Sequence, residues 1–329
     1  MSTDVVTLRK DSSLAAERIG ERLRAVGDAV GQVVRGKREV IDQLLAGILA
    51  EGHLLLEDVP GVGKTTLAQA LARALGLSFS RIQVTSDLLP SDILGVNTWN
   101  PAKSAFEFHP GPIFAQLVLD DEVNRTTPRT QSALLEAMGE SQVSLDGRTH
   151  QLPRPFCVVA TQNPREHAGT YPLPESQLDR FLLRLEIGYP AGDVERDILL
   201  AGGGDGPLAA LEPVLEAAEL LRMQQARESV AVDPSIADYA MRLVEATREN
   251  PLVGLGVSTR GALSLLRAAR GRALVDGRAF VLPDDLKAMA VACLSHRIVP
   301  AGREAEEMDR REAGRIVRDI VDRVAVPQA

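Results

Sequence analysis

LLLEDVPGVGKTTLAQALARAL, running from Leu54 to Leu75, decides the fold. A short apolar run enters a glycine-rich bend and leaves it as a helical pattern. That is the setting in which a G-x-x-x-x-G-K-[ST] loop cradles phosphate. Gly61 and Gly63 let the backbone turn so that successive N–H groups face phosphate oxygens. The helix that begins near Lys64 presents its positive end to the same charge. Val59, Pro60, Gly61, Val62, Gly63, Lys64, Thr65 and Thr66 are therefore read as a nucleotide-binding loop. Lys64 is expected to reach the β- and γ-phosphates, and the Thr65 hydroxyl to ligate Mg²⁺. One position breaks the pattern: where the first glycine belongs, the chain has Asp58. A carboxylate aimed at phosphate would repel it. Asp58 is expected to point away and to cap backbone N–H groups of the loop.

Working outward, five apolar runs of strand length appear: HLLLE (53–57), FSRIQV (79–84), LVLDD (117–121), FCVVAT (156–161) and LLRLEI (183–187). Helical patterns separate most of them. Strands alternating with helices imply a mostly parallel sheet covered on both faces. Upstream, Leu14, Ile19, Leu23, Val26 and Val30 recur with a helical period, and residues 1–12 read as loose. After Pro190 the texture changes. AGGGDGP (201–207) breaks the pattern, and only helical signals follow. Asp233 caps a helix with Pro234 in its first turn; further helices open at Ser258 and near Pro283. The reading is an α/β domain over 13–190, then a linker and a smaller all-α domain over 191–329.

The acids of LVLDDEVNR (117–125) stand where such sheets hold ligands, at the carboxyl end of a strand. Asp121 is placed to bind the Mg²⁺ water shell and Glu122 to orient the attacking water. Asp120 is open to either role or to none. Taken alone, the run would be a solvated acidic turn; beside a phosphate loop, the catalytic reading prevails. Asn163, in ATQNP, ends the fourth strand, where an amide can hold water and γ-phosphate; by itself it reads as an Asn-Pro turn. Arg180, in PESQLDRF, is either a salt-bridged helix-end arginine or a finger reaching a neighbouring subunit's γ-phosphate.

Composition bounds the partners. The chain has 329 residues, 45% apolar and 25% charged, with a net charge of −8 and a pI near 5.3. An acidic protein is a poor fit to a nucleic-acid backbone. No run approaches the roughly 20 apolar residues of a membrane span, and the start lacks an apolar signal core; a cytoplasmic location is the expectation. Cys157 and Cys293 sit in apolar runs and read as buried free thiols.

Together, PGVGKT, DEVNR, PRTQSALLEAM, ATQNP, LPESQLDRF and GVSTRG resemble the MoxR family of AAA+ ATPases, in order, from about Val33 to Arg297. The family's own variant of the loop also tolerates an acid at the first glycine. The resemblance implies a P-loop AAA+ three-layer domain and a helical lid, with ATP and Mg²⁺ bound between subunits of a ring, commonly a hexamer. It makes Lys64 and Thr65 the Walker A residues, and Asp121 and Glu122 the Walker B acids. Asn163 becomes the first sensor, Arg180 the arginine finger and Arg260 the second sensor on the lid. It also implies a chaperone-like ATPase that matures or activates a client or adaptor, often one with a von Willebrand factor A domain.

Two inserts are similar to those of the family's clade. One covers about residues 90–112. The other, 141–152, is a hairpin in which Val143 and Leu145 alternate around the tight-turn pair Asp146-Gly147. Trp99, the only tryptophan, either packs on its own hairpin or meets a partner. Arg125 and Arg129 serve either a subunit boundary or plain surface. Other functions compete with the remodeller. A metal-chelatase motor would stimulate metal insertion with a companion subunit. A non-hydrolysing nucleotide-gated scaffold would show no steady turnover. A DNA-translocating motor is disfavoured by the acidic pI.

Overall fold

In chain order the protein begins with a long helix, α1 (Thr3–Val33), then α2 (Arg38–Leu49), strand β1 (His53–Glu57), α3 (Lys64–Ala74) and β2 (Phe79–Gln83). A short helix α4 (Pro90–Leu94) leads into a hairpin, β3 (Gly95–Asn100) and β4 (Ala105–Pro110), before β5 (Leu117–Asp121) and α5 (Pro128–Glu140). A second hairpin, β6 (Gln142–Leu145) and β7 (Arg148–Gln151), precedes β8 (Cys157–Gln162), α6 (Glu175–Leu178) and β9 (Phe181–Leu185). The computed structural model describes residues 3–163, 170–200, 206–302 and 310–327. Pro164 and residues 201–205 of the breaker cluster lie outside the described residues. The helix over Leu14–Val30 extends back to Thr3, so residues 3–12, expected to be loose, are helical. No glycine or proline falls between Thr3 and Ile19 to stop it.

The five expected strands form one sheet in the order β2-β5-β8-β1-β9. Every neighbouring pair is parallel. The loop strand β1 therefore lies beside β8, and β8 beside the acid-bearing β5. Alternation along the strands feeds two apolar layers. Leu54, Leu56, Leu117, Leu119 and Val159 face one layer with α1, α2 and α3. Leu55, Val118, Val158 and Ala160 face the other with α5 and the inserts. Both faces are covered, so these strands read as near-continuous apolar runs rather than alternating ones. Leu54, Leu55 and Leu56 are fully buried, each stabilising the fold by roughly 1.5–3 kcal/mol.

Beyond β9 come α7 (Gly192–Leu200), α8 (Gly206–Ala209) and α9 (Ala217–Arg227), then α10 (Pro234–Glu249), strand β10 (Val253–Leu255), α11 (Thr259–Val275), α12 (Pro283–Leu294), strand β11 (Val299–Pro300) and α13 (Arg310–Arg323). The expected cap is made, Asp233 accepting from Ser235 N at 2.9 Å, and Ser258, expected only to open a helix, caps it by accepting from Gly261 N at 3.3 Å. The expectation of helices alone needs one correction. β10 and β11 pair antiparallel, but three and two residues are too few to show a period. The helical part also shares the core of the α/β part: Leu265, Ala268 and Ala269 of α11 belong to the same buried cluster as Leu44, Leu45 and Ile48 of α2. Gly271 permits this approach, because a Cβ there would stand 2.3 Å from the Ala46 carbonyl oxygen.

The inserts behave as a pair. Asp146 and Gly147 take φ values of 50° and 75°, the mirror-image turn that suits a tight hairpin. Phe108 of the first hairpin stacks on His150 of the second with centroids 3.9 Å apart, and Asn97 donates to Asp146 at 2.7 Å. Trp99 packs edge-on against Phe106 across its own hairpin at 5.3 Å, yet stays 54% exposed. No helix among the described residues is long and apolar enough to cross a membrane.

Candidate nucleotide site

The loop between β1 and α3 needs positive φ at two places only, Gly61 (84°) and Gly63 (88°). A Cβ at either would meet nothing within 4 Å, so these glycines are required by conformation, and the space over them is open to a ligand. Gly63 is also the N-cap of α3, leaving the first N–H groups of that helix without a side-chain cap. Thr65 and Thr66 follow in the first turn. Asp58 does not take a positive φ, which is why a glycine can be dispensed with there. Its carboxylate points into protein, accepting from Val59 N at 2.8 Å and from Gly188 N at 2.5 Å.

The Lys64 ammonium folds over the bend and donates to the carbonyls of Asp58 (2.5 Å) and Val59 (3.2 Å). Burial pushes its pKa below the ordinary lysine value; Asp58, Asp121, Glu122 and Glu57 pull the other way. The sheet order thus brings the lysine and the acidic strand end together, as the sequence anticipates. A half-desolvated cation beside carboxylates is set to gain from an incoming phosphate.

At the end of β5, the side chains of Asp120 and Asp121 take opposite faces of the sheet. Asp121 accepts from the Thr161 hydroxyl at 2.7 Å and pairs with Arg81 at 2.6 Å. Thr161 Oγ1 also accepts the Glu122 N–H at 2.9 Å. Thr161 and Arg81 are the residues that sequence reasoning missed. Thr161 lies inside the quoted ATQNP, but nothing in its spacing marks a hydroxyl that grips both acids. Glu122 has φ 70° and ψ 51°, a left-handed geometry costing about 1–2 kcal/mol in a residue with a side chain. Its carboxylate pairs with Arg125 at 2.9 Å, so Arg125 belongs to the acidic strand end rather than to plain surface. Asp120 is fully buried with neither oxygen hydrogen-bonded, and burial pushes its pKa up to about 7, the charge on Asp121 adding to this. It faces the apolar layer behind the sheet and is no part of the front site.

The donor set fits Mg²⁺. A threonine hydroxyl and a carboxylate are hard oxygen ligands, and Mg²⁺ takes few protein ligands alongside substrate phosphates. Asn163 follows β8 and is 5% exposed, between the ends of β5 and β1.

The two remaining candidates lie elsewhere. Arg180 donates to the Leu135 carbonyl at 2.6 Å, and a Cβ on Gly139 would stand 2.6 Å from its guanidinium. It faces a cavity of about 530 Å³ together with Asp179, Arg260, Arg267 and Arg297, and no loop residue lines that cavity. Arg260 is highly exposed and pairs with Asp179 at 3.5 Å. Arg260, which the resemblance makes the second sensor on the lid, thus lines the same cavity as Arg180. Arg297 is the structural member: nearly buried, it bonds Asp179 at 2.8 Å and the Phe181 carbonyl at 2.7 Å. Both cysteines are buried free thiols; burial pushes Cys157 up to about 12, which removes thiolate chemistry near neutrality.

A parallel sheet of this order, with a phosphate loop on one strand and paired acids on the next strand but one, is an AAA+ type ATPase fold. A family model described as "ATPase family associated with various cellular activities (AAA)" matches residues 53–183, and an AAA lid domain model matches 245–320. The chain is 40% identical over 308 residues to "Chaperone MoxR1" of Mycobacterium tuberculosis, covering 91% of this chain and 81% of that one. It is 48% identical over 298 residues to the uncharacterized protein YeaC of Bacillus subtilis, covering 91% and 92%. A crystal structure from Cytophaga hutchinsonii, with a provisional ATPase assignment, superposes with a TM-score of 0.85 at 36% identity over 99% of this chain and 100% of that one. The chain belongs to the MoxR family of AAA+ ATPases.

Proposed function

We propose that this chain is a ring-forming, Mg²⁺-dependent ATPase that couples hydrolysis to the remodelling, maturation or activation of another protein. The meeting of Lys64 with Asp121 and Glu122 beside the Gly61–Gly63 bend carries this reading. The loop N–H groups and Lys64 bind the phosphates. Thr65 and Asp121 would hold Mg²⁺, which neutralises charge on the β- and γ-oxygens when bound. Glu122 orients the attacking water once it leaves Arg125, and Asn163 holds that water against the γ-phosphate.

Arg180 and Arg260 serve the nucleotide of a neighbouring copy. Their shared cavity, which no loop residue of this chain lines, supports a site completed in trans, and a head-to-tail contact of that kind closes into a ring. Six copies is the number the family commonly uses. The name of the mycobacterial relative supports the chaperone-like role; a client or adaptor with a von Willebrand factor A domain is the proposed partner. The test is steady ATP turnover by the purified protein with Mg²⁺, followed by capture of clients on an ATP-locked Glu122→Gln form. Absence of turnover in wild type at every protein concentration would reject the ATPase reading in favour of a nucleotide-gated scaffold.

A further inference from the structure

Asp58 is the one loop residue that departs from the common phosphate-binding pattern, and it makes four hydrogen bonds to four different places. Its N–H donates to the Gln162 carbonyl at 3.1 Å, next to Asn163. Its carbonyl accepts from Lys64 Nζ at 2.5 Å. Its carboxylate accepts Val59 N–H with one oxygen and Gly188 N–H with the other. A glycine would supply the first two bonds and neither of the last two. Gly188 follows β9 and opens the segment that runs through Tyr189 and Pro190 into α7 and on to the lid. It has φ 67°, and the adjacent Tyr189 carbonyl accepts from Lys37 Nζ at 2.7 Å.

We infer that the Asp58 carboxylate is a mechanical bridge between the phosphate loop and the lid linker, passing nucleotide-driven change at Val59 to Gly188. The inference rests on the ATP reading above and adds to it a positioning residue outside the residues that touch phosphate. A carboxylate oxygen makes a stronger, more directional bond to N–H than a neutral acceptor does. Two donors on one rigid carboxylate cannot move independently without loss of bond geometry.

The test compares amide hydrogen exchange in wild type, Asp58→Asn, Asp58→Gly and Lys37→Met, with and without Mg²⁺ and a non-hydrolysable ATP analogue. Asn has one acceptor oxygen for two donors, and Gly has none. Without nucleotide, exchange at Gly188 should rise about tenfold in Asp58→Gly, the effect of one lost charge-assisted bond. In wild type, the analogue should change exchange at 187–190 as well as at 59–66. In both Asp58 variants the response at 59–66 should persist while that at 187–190 disappears. In Lys37→Met, which loosens the linker from its other side, the linker response should remain. A linker response that survives in both Asp58 variants overturns the bridge. So does an equal loss in Lys37→Met, which would trace the effect to general slackness. A wild type with no response at 59–66 sinks the ATP reading itself, whereas the nucleotide-free exchange at Gly188 still judges the bond.

Discussion

Thr161 controls both acids of the site with one hydroxyl, donating to Asp121 and accepting from the Glu122 N–H. Thr161→Val keeps the shape and removes both bonds, one of them to a charged group. Stability should fall by about 1–3 kcal/mol, and turnover should fall with it, because the left-handed turn at Glu122 loses its clamp; urea unfolding and phosphate-release assays check the two effects. Lys64→Ala should weaken nucleotide binding by about ten- to a hundredfold, from the loss of charged hydrogen bonds. Calorimetry measures this, and unchanged affinity would count against the loop. His53, on the wall of the Arg180 cavity, offers a pH test read in stability rather than turnover. Its Nδ1 accepts from Val158 N and its Nε2 bonds the Met138 carbonyl, both at 3.0 Å. Burial holds its pKa down at about 4. The unfolded chain, with an ordinary histidine near 6.5, binds the proton first as pH falls. Stability from the neutral ring is therefore complete above about 6.5 and is lost as pH falls towards 4, at up to about 1.4 kcal/mol per pH unit. Urea unfolding of wild type and His53→Gln at pH 7.5 and 5 should show a smaller pH difference in the variant.

At the scale of elements, the strand–loop–helix at 53–74 was legible because three signals agree: an apolar run, glycines where φ is positive, and a helical period starting at Lys64. The hairpin at 142–151 was legible for the same kind of reason, since Asp146-Gly147 is chemically suited to its turn. The pair β10 and β11 was not, being too short for periodicity. Nor was the contact of α2 with α11, because one glycine among many carries no mark of what it will face. Gly271→Ala tests that contact. In an open helix the change would gain about 1 kcal/mol of propensity. Here the new Cβ meets the Ala46 carbonyl at 2.3 Å, and overpacking costs roughly 1–3 kcal/mol. The clash is expected to win, with a lower melting temperature; a rise would show that the helices part without cost.

For the whole molecule, the sheet order could not be read from the chain, although the order of its motifs could. Only the crossing of strands brings Glu57, Asp121 and Asn163 to one edge. The placement of Arg180 and Arg260 in one cavity was equally hidden, since 80 residues separate them. Arg180 tests the proposal that this cavity serves a neighbouring copy's nucleotide. Arg180→Ala should leave nucleotide binding to the loop while lowering turnover by about 10³- to 10⁵-fold, the range for an arginine finger. Normal turnover would assign Arg180 to its hydrogen bond with Leu135 alone.

The most direct measurement is phosphate release from ATP and Mg²⁺ by wild type and Glu122→Gln, alongside binding of the same nucleotide to each. The account predicts steady turnover in wild type, a fall of about 10²- to 10⁴-fold in the variant, and binding retained in both. Equal turnover in the two proteins would contradict it, because the carboxylate beside Asp121 would then have no part in the chemistry.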